Sequence, residues 1–241
     1  MPSKSGSAIS ARAAAWPRAV IFDLDGTLVD SAPDIQEAIE AAFRPLGVAP
    51  FSLETVQGLI GGGAAAAVKR ATAKLGLVLS AANEAAVLQR FMIDYARVSA
   101  KGRGLYPGAQ DLLGVLRAEK IGVALCTNKA ESITLITIEA LGIAGYFGSV
   151  VAARDDLPKK PDPAMLLRAL APFDVAPSEA IMIGDSHADI DAARAAGMSS
   201  IAVSYGYSAT PASELGANLV VDRLADVPDA LATLRVGAPS S

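Results

Sequence analysis

Short apolar segments rich in β-branched residues alternate along this chain with segments of helical periodicity. The pattern predicts five or six strands, at Ala19–Asp23, Gly122–Asn128, Ser149–Ala153, Ala180–Asp185, Ser200–Ser204 and Leu219–Asp222. Between them it predicts helices at Ala109–Glu119, Ala130–Leu141, Pro163–Leu170 and Ala188–Ala196. Buried strands that alternate with helices form a parallel sheet covered on both faces, so we predict a doubly wound, Rossmann-like α/β core. In such a core the loops after the strands meet at one edge of the sheet, and ligands bind there.

The alternation is interrupted once, by about 70 residues between the first two strands that carry only helical patterns. One apolar stripe runs from Ile35 to Leu46 at i, i+3, i+4 spacing, and a second runs from Val87 to Val98. Helices inserted directly after the first strand lie over the strand ends, so we predict a helical cap above the ligand site. The predicted division of the chain is a disordered extension at 1–18, a core at 19–32 and 101–235, and a cap at 33–100.

The composition excludes several classes of function. The 241 residues are 52% hydrophobic and 19% charged, which is typical of a globular protein. The formal net charge is −4, so a basic surface for nucleic acid is not expected. No apolar run reaches the roughly 18 residues that span a bilayer, and a single cysteine, Cys126, indicates a reducing, cytoplasmic location. Residues 1–18 are rich in Ser, Ala and Arg and contain no acid, so a targeting peptide is the alternative to a disordered extension.

The strongest chemical signal is Asp23-Leu24-Asp25-Gly26-Thr27, which directly follows four apolar strand residues. Positions i and i+2 of an extended chain project to the same side, so the carboxylates of Asp23 and Asp25 can face one site. Gly26 allows the chain to turn sharply afterwards. Two close carboxylates repel each other unless a cation or a shared proton compensates, and hard oxygen ligands suit Mg²⁺. An Asp-Gly turn with incidental acids is the alternative.

Three further polar clusters fall at the ends of later predicted strands or just before the helices that follow. They are Thr127-Asn128, Lys160-Pro161-Asp162-Pro163, and Gly184-Asp185-Ser186 with Asp189. Each has an ordinary structural alternative: a helix cap for the first, a solvated surface charge for the lysine, and a turn or helix-dipole acid for the aspartates. Because parallel strands bring such loops to one edge, we predict that all four clusters form one site.

These four motifs, in this order, resemble those of the haloacid dehalogenase superfamily. The resemblance covers the chain from Arg18 to about Leu231. Within the superfamily it extends to the phosphoglycolate phosphatase group through Val29-Asp30-Ser31-Ala32-Pro33-Asp34, Leu105-Tyr106-Pro107-Gly108 and Ser204-Tyr205-Gly206-Tyr207. The resemblance implies a Mg²⁺-dependent phosphatase that acts on a small phosphorylated metabolite, with 2-phosphoglycolate favoured. Members that cleave carbon–halogen or phosphonate bonds lack the aspartate found here as Asp25, so phosphate-ester chemistry is favoured.

The resemblance also implies a role for each residue. Asp23 would attack phosphorus and form an aspartyl-phosphate, and Asp25 would act first as the acid and then as the base. Mg²⁺ would be held by the Asp23 carboxylate, the Asp25 main-chain carbonyl and the Asp185 carboxylate. Thr127 and Lys160 would contact the phosphoryl oxygens, and Asn128 and Thr27 would contact the substrate. Asp189 would contact Lys160 or a water on the metal.

Three glycines, Gly61-Gly62-Gly63, precede a predicted helix from Ala64 to about Lys74, whose N–H groups can face an anionic substrate. We expect this loop, with Gly62 against the substrate, to close over the site and select the ester. A flexible linker is the alternative. A sugar phosphomutase and a pyrophosphatase of the same superfamily stay open as functions, as does a non-catalytic binding protein on this scaffold. A monomer and a homodimer are both compatible with the sequence.

Overall fold

The described part of the chain is organised around one parallel β-sheet. The computed structural model describes residues 16–237, so the predicted extension at 1–18 lies mostly outside the described residues. Within 16–237, six parallel strands form one sheet in the order β3-β2-β1-β4-β5-β6. They are β1 Ala19–Phe22, β2 Gly122–Ala130, β3 Ser149–Ala153, β4 Ala180–Gly184, β5 Ser199–Val203 and β6 Leu219–Val221. The predicted doubly wound α/β core is confirmed, because the strand order grows outward from β1 in both directions.

The central strands end side by side. Every residue of β1 and β4 is buried, as their central place in the sheet requires. β1 pairs with both neighbours in register, so that Phe22 lies opposite Leu125 of β2 and Ile183 of β4. The residues that follow these three positions therefore emerge together at one edge of the sheet.

Helices cover both faces of the sheet. They are α5 Ala109–Ala118, α6 Glu131–Ala140, α7 Ala164–Leu170, α8 His187–Ala196 and α9 Val227–Gly237. Val20 and Phe22 of β1 pack with Leu113 of α5, whereas Ile21 packs on the opposite face with Met165 of α7. This alternation follows the two-residue period of a strand. Among residues 16–237, no helix combines the length and the hydropathy that crossing a membrane requires.

Between β1 and β2 the chain forms helices, as the sequence predicts. They are α1 Ala32–Phe43, α2 Leu53–Gln57, α3 Ala64–Lys74 and α4 Ala81–Ser99. The two predicted apolar stripes face each other: Ile39 and Phe43 of α1 share a buried cluster with Val87 and Phe91 of α4. Ile133 of α6 joins this cluster. The inserted helices therefore pack against the helix that follows β2.

An ion-pair network joins the two places where the chain crosses between the sheet and the inserted helices. Glu37 of α1 accepts hydrogen bonds from Arg97, Lys101 and Arg103 at 2.9–3.1 Å. Asp34, which is buried, pairs with the same Arg103 at 2.5 Å. These contacts link the start of α1 to the end of α4 and to the segment that returns to the sheet.

We expect Glu37→Gln to destabilise the protein by about 0.5 kcal/mol near neutral pH, because exposed ion pairs contribute little each. Hydrogen bonds from Lys101, and also from Arg103 and Arg97, outweigh partial burial and lower the pKa of Glu37 to about 2. A carboxylate whose pKa falls on folding adds stability above its unfolded pKa, and this stability is lost as the pH falls through the folded pKa. Urea unfolding at about pH 7 and about pH 3 should therefore show a smaller difference between variant and wild type in acid. Equal differences at both pH values would contradict the prediction.

Candidate active site

A cavity of about 260 Å³ lies between the edge of the sheet and the inserted helices. The sheet side supplies residues that the sequence places in the site: Asp23, Asp25, Thr127, Asn128, Lys160, Asp185 and Asp189. The inserted helices supply Gly62 and its two neighbouring glycines, together with Phe91 and Tyr95. The structure therefore brings together every predicted site residue except Thr27.

Thr27 lies outside the cavity. Gly26 has a positive φ of 84°, and the turn that it allows directs the chain back beneath the strand end. Thr27 is fully buried there, and its hydroxyl has no hydrogen-bond partner in the described part of the chain. Its carbonyl accepts a hydrogen bond from the Tyr205 hydroxyl at 2.8 Å. These contacts anchor the turn, and none of them supports the predicted substrate contact.

Asp23 stands at the end of β1 with its carboxylate in the cavity. Its backbone N–H still donates to the Ile183 carbonyl at 2.9 Å, which fixes the residue to the sheet. Its Oδ1 lies 3.0 Å from Lys160 Nζ and forms a buried ion pair with it. Burial raises the pKa of Asp23 to about 7; the charges of Asp189 and Asp25 add to the rise, and Lys160 opposes it.

Lys160 is a fixed, buried cation. Its side chain is 1% exposed, and its ammonium donates to Asp189 Oδ1 at 2.6 Å and to the Cys126 carbonyl at 2.7 Å. Burial alone lowers the pKa of Lys160, but the carboxylates of Asp189 and Asp23 outweigh it and hold that pKa above its ordinary value. The lysine is therefore charged and points between two acids.

Asn128 fastens the loop that carries Lys160. Its amide nitrogen donates to the Lys160 carbonyl at 2.9 Å, and its amide oxygen accepts the Lys160 N–H at 3.0 Å. Thr127, the residue before it, is buried and lines the cavity. Because both ends of the Asn128 amide are bonded to the backbone of Lys160, this side chain positions the lysine.

Three buried carboxylates meet at the floor of the cavity. Oxygens of Asp23, Asp185 and Asp189 lie within 4.8 Å of one another. Burial and the charges of the other two acids raise the pKa of Asp185 well above its ordinary value. Lys160 offsets one of the three negative charges, and a divalent cation would offset the two that remain when all three acids are ionised. The donors are all carboxylate oxygens, and the Asp23 and Asp185 side chains line the cavity. The residues therefore fit a divalent metal ion.

The three acids are not equally free to bind a metal. Both oxygens of Asp189 are used, Oδ1 by Lys160 and Oδ2 by the N–H and hydroxyl of Ser186, at 2.6–3.1 Å. Asp185 accepts one hydrogen bond on Oδ2, from the N–H of Tyr207 at 2.7 Å. Asp189 therefore holds Lys160 and caps α8, while Asp23 and Asp185 keep free oxygens for a metal.

Two glycines that lie next to Asp185 in space, Gly26 and Gly206, leave room for its carboxylate. A Cβ at Gly206 would lie 2.1 Å from the Asp185 Cβ, and a Cβ at Gly26 would lie 2.5 Å from Asp185 Oδ2. No side-chain carbon fits at these distances. The sequence singled out Gly26 for its turn, but the close approach of Gly206 comes from a segment about 20 residues downstream of the aspartate.

Tyr207 links the acid cluster to the first inserted helix. Its hydroxyl donates to Asp30 Oδ1 at 2.5 Å and accepts the Ala32 N–H at 3.0 Å, at the start of α1. Its own N–H is bonded to Asp185, as described above. Burial is the main cause that raises the pKa of Tyr207, so the hydroxyl keeps its proton. The sequence left the role of this tyrosine open.

Lys129 is a site residue that the sequence prediction missed. Its side chain is 3% exposed, lines the cavity and places Nζ 2.8 Å from Asp25 Oδ1. The ammonium also bonds to the hydroxyl of Tyr95 on α4. The predicted second strand ends at Asn128, but β2 runs to Ala130, so Lys129 lies two positions after Thr127 on the same face. The i, i+2 rule that pairs Asp23 with Asp25 would have found it.

The glycine loop lies where the sequence places it. Gly61, Gly62 and Gly63 all have positive φ and line the cavity just before α3. Of the three, Gly63 makes the closest approach to the sheet side: a Cβ there would lie 2.9 Å from the Asn128 carbonyl. A Cβ at Gly62 would meet only Ala66, at 3.4 Å. The conformation is fixed rather than that of a free linker, since Arg70 hydrogen-bonds the Leu59 and Gly61 carbonyls.

Acids and a fixed lysine converge at the carboxyl edge of a parallel sheet, beneath inserted helices, which is the arrangement of a doubly wound α/β protein with its ligand site at the strand ends. Comparison with known proteins narrows this class. The sequence model of the haloacid dehalogenase-like hydrolase family matches residues 20–203. The chain belongs to that family, as the sequence predicts.

The relatives found by sequence include phosphoglycolate phosphatases. The one from Rhodospirillum rubrum is 40% identical over 219 residues, which cover 88% of this chain and 90% of the relative. The one from Chromobacterium violaceum is 39% identical over 217 residues, which cover 88% and 95%. Among solved structures, a predicted phosphoglycolate phosphatase from Haemophilus somnus superposes with a TM-score of 0.83 at 28% identity, covering 88% of this chain and 97% of that one. These similarities confirm the predicted resemblance to the phosphoglycolate phosphatase group.

Proposed function

We propose that the protein hydrolyses a small phosphate monoester with the help of Mg²⁺, through an aspartyl-phosphate on Asp23, and that 2-phosphoglycolate is the favoured substrate. The observation that carries the proposal is the Asp23 carboxylate, which lines the cavity, keeps 13% of its side chain exposed and faces Lys160 at 3.0 Å. A carboxylate that reaches the cavity beside a fixed cation can attack phosphorus or bind a metal ion. Family membership and the names of the relatives support this function.

The reaction consists of two displacements at phosphorus. First, an oxygen of Asp23 attacks, the bond from phosphorus to the ester oxygen breaks, and Asp25 gives the departing oxygen a proton. Next, a water attacks the phosphoryl group, Asp25 takes a proton from that water, and the bond from phosphorus to Asp23 breaks. The products are an alcohol and inorganic phosphate, and both aspartates return to their initial state.

The remaining residues hold the phosphoryl group. Thr127 and Lys160 bind its oxygens, and the fixed charge of Lys160 offsets the negative charge around phosphorus. Asp189 and Asn128 keep Lys160 in place through its ammonium and its backbone. The groups that would hold Mg²⁺ are the carboxylates of Asp23 and Asp185 and the main-chain carbonyl of Asp25. When bound, this ion supplies positive charge next to the phosphoryl oxygens.

The cavity and its surroundings limit the substrate. A volume of about 260 Å³ suits a short phosphorylated metabolite, since drug-sized ligands need larger pockets.

A crystal structure of CbbY from Rhodobacter sphaeroides, which superposes with a TM-score of 0.75 at 25% identity, is of a complex with phosphate. We also propose a core at 19–32 and 101–235, a cap at 33–100, a cytoplasmic location, and a monomer or homodimer.

A panel of small phosphoesters, assayed for free phosphate with and without Mg²⁺, tests the proposed function. We expect release that requires Mg²⁺ and is fastest with 2-phosphoglycolate. Release without any added bisphosphate separates this activity from that of a sugar phosphomutase, and inclusion of pyrophosphate tests for a pyrophosphatase. A purified protein that releases no phosphate from any member of the panel would overturn the proposal.

We expect Gly63→Ala to lower kcat/KM on the order of tenfold, because small displacements near a reacting group are costly. The added methyl group would lie 2.9 Å from the Asn128 carbonyl and would push the glycine loop off the sheet side. Gly61→Ala is the matched control, since Gly61 also has a positive φ but a Cβ there meets no described residue within 4 Å. Steady-state kinetics of the two variants should therefore differ. Equal kinetic losses would show that backbone strain alone accounts for the effect.

A further inference from the structure

Lys129 is a buried cation that the two displacements leave without a role. The residue is 5% exposed, and a buried ammonium is costly unless it is paired and hydrogen-bonded. Within residues 16–237, its ammonium donates to Asp25 Oδ1 at 2.8 Å and to the hydroxyl of Tyr95. The ammonium also lies 4.1 Å from the centroid of the Tyr95 ring, within the range of a cation–π contact.

The contact between Lys129 and Asp25 fixes the side chain that carries the proton in the reaction. Lys129 contacts only Oδ1 of Asp25, so Oδ2 can give a proton to the leaving oxygen or take one from water. A short carboxylate at a strand end can rotate about two bonds, and proton transfer requires hydrogen-bond geometry to the reacting oxygen. An ammonium bound to Oδ1 removes that freedom.

Lys129 itself is held by a residue on an inserted helix. Tyr95 lies on α4, packs against Phe91 with ring centroids 5.2 Å apart, and is 4% exposed. Lys129 comes from β2 of the sheet, and its N–H donates to Thr127 Oγ1 at 3.2 Å. The contact between Lys129 and Tyr95 therefore spans the cavity and joins its helical side to Asp25.

We propose that Lys129 is a positioning residue for Asp25, and that Tyr95 makes this positioning depend on the helical side of the cavity. The inference rests on the proposed function, in which Asp25 carries the proton. Asp25 is then correctly oriented when α4 stands close enough for Tyr95 to hold Lys129. When α4 moves away from the sheet, Lys129 loses its contact with Tyr95. Asp25 then loses its fixed orientation.

Leaving-group dependence separates this role from substrate binding. An acid that protonates the departing oxygen matters greatly for a basic alkoxide and little for a weakly basic nitrophenolate. We expect Lys129→Met to lower kcat/KM by about tenfold or more for an alkyl phosphate and by less than about threefold for 4-nitrophenyl phosphate. Across phenyl, 4-chlorophenyl and 4-nitrophenyl phosphates, which are similar in size, the loss should grow steadily with leaving-group basicity.

Two further variants keep the test decisive. Tyr95→Phe removes only the hydroxyl and keeps the ring in its cluster, so it should cause a smaller loss with the same dependence on the leaving group, even if Lys129→Met folds poorly. Lys74→Met, an exposed lysine at the end of α3, is the control and should change neither value.

The outcomes distinguish the inference from the proposed function. Equal losses for every leaving group, or no loss, in folded Lys129→Met and Tyr95→Phe would overturn the inference and leave the phosphatase intact. A wild-type protein that hydrolyses none of these esters would overturn both. Circular dichroism and thermal unfolding of each variant establish that the compared proteins are folded.

Discussion

Asp23→Asn should lower phosphate release by roughly 10⁴-fold or more, because the loss of a covalent nucleophile is among the largest single effects in enzymes. The amide is similar in size to the carboxylate but is a poor nucleophile, so the first displacement does not occur. In the wild type, one oxygen of this carboxylate lies 3.0 Å from the Lys160 ammonium. Phosphate release by the purified variant, measured against wild type with 2-phosphoglycolate, checks the expectation.

A matched control and a direct observation of the intermediate make this test specific. Asp155→Asn changes the same functional group at an exposed position and should leave turnover unchanged. Wild type quenched in acid during turnover should carry a phosphoryl group on Asp23 by mass spectrometry, and Asp23→Asn should carry none. Turnover of Asp23→Asn at the level of Asp155→Asn would mean that another group attacks phosphorus.

The convergence of the site could be predicted because it depends on topology more than on side-chain packing. A parallel sheet aligns strand ends, and the register of Phe22 with Leu125 and Ile183 does so here. Apolar runs followed by polar residues mark those ends in the sequence. Asp23, Thr127 and Asp185 therefore lie at one edge for a reason that the sequence carries locally.

What the sequence could not supply are contacts between distant segments. Asn128 was expected to contact the substrate, but its amide is bonded at both ends to a residue 32 positions later. Likewise, the hydroxyl of Tyr207 is bonded to Asp30, 177 positions earlier. Neither pairing leaves a local pattern, because each depends on how two loops approach after the sheet has formed.

Thr27 and Lys129 are a different case, because both depend on where a strand ends. The irregular pairing between β2 and β3 after Thr127 lets β2 continue to Ala130, and this brings Lys129 into the cavity. At β1 the opposite happens, since the turn at Gly26 removes Thr27 from the cavity. One or two residues at a strand end thus decide which side chains reach the substrate, and such boundaries are the least certain part of a sequence prediction.

Lys160→Met should abolish activity and also destabilise the fold, by about 3 kcal/mol or more, since breaking a buried ion pair leaves uncompensated charge. Asp23 and Asp189 both face the Lys160 ammonium, at 3.0 and 2.6 Å, and Asp189 is fully buried. Denaturant unfolding and phosphate release measure the two effects. Lys159→Met, at the exposed neighbouring lysine, is the control for stability and should unfold like wild type.

A double variant separates the two roles of this lysine. Asp189→Asn added to Lys160→Met removes one of the two uncompensated acids and keeps an amide oxygen for the N–H of Ser186, so part of the lost stability should return. Activity should not return, because no cation then faces the phosphoryl oxygens at this position. The double variant would then regain stability without regaining activity. No recovery of stability would show that charge balance with Asp189 is not what Lys160 contributes to the fold, and recovery of activity would show that Lys160 is not needed to bind the phosphoryl group.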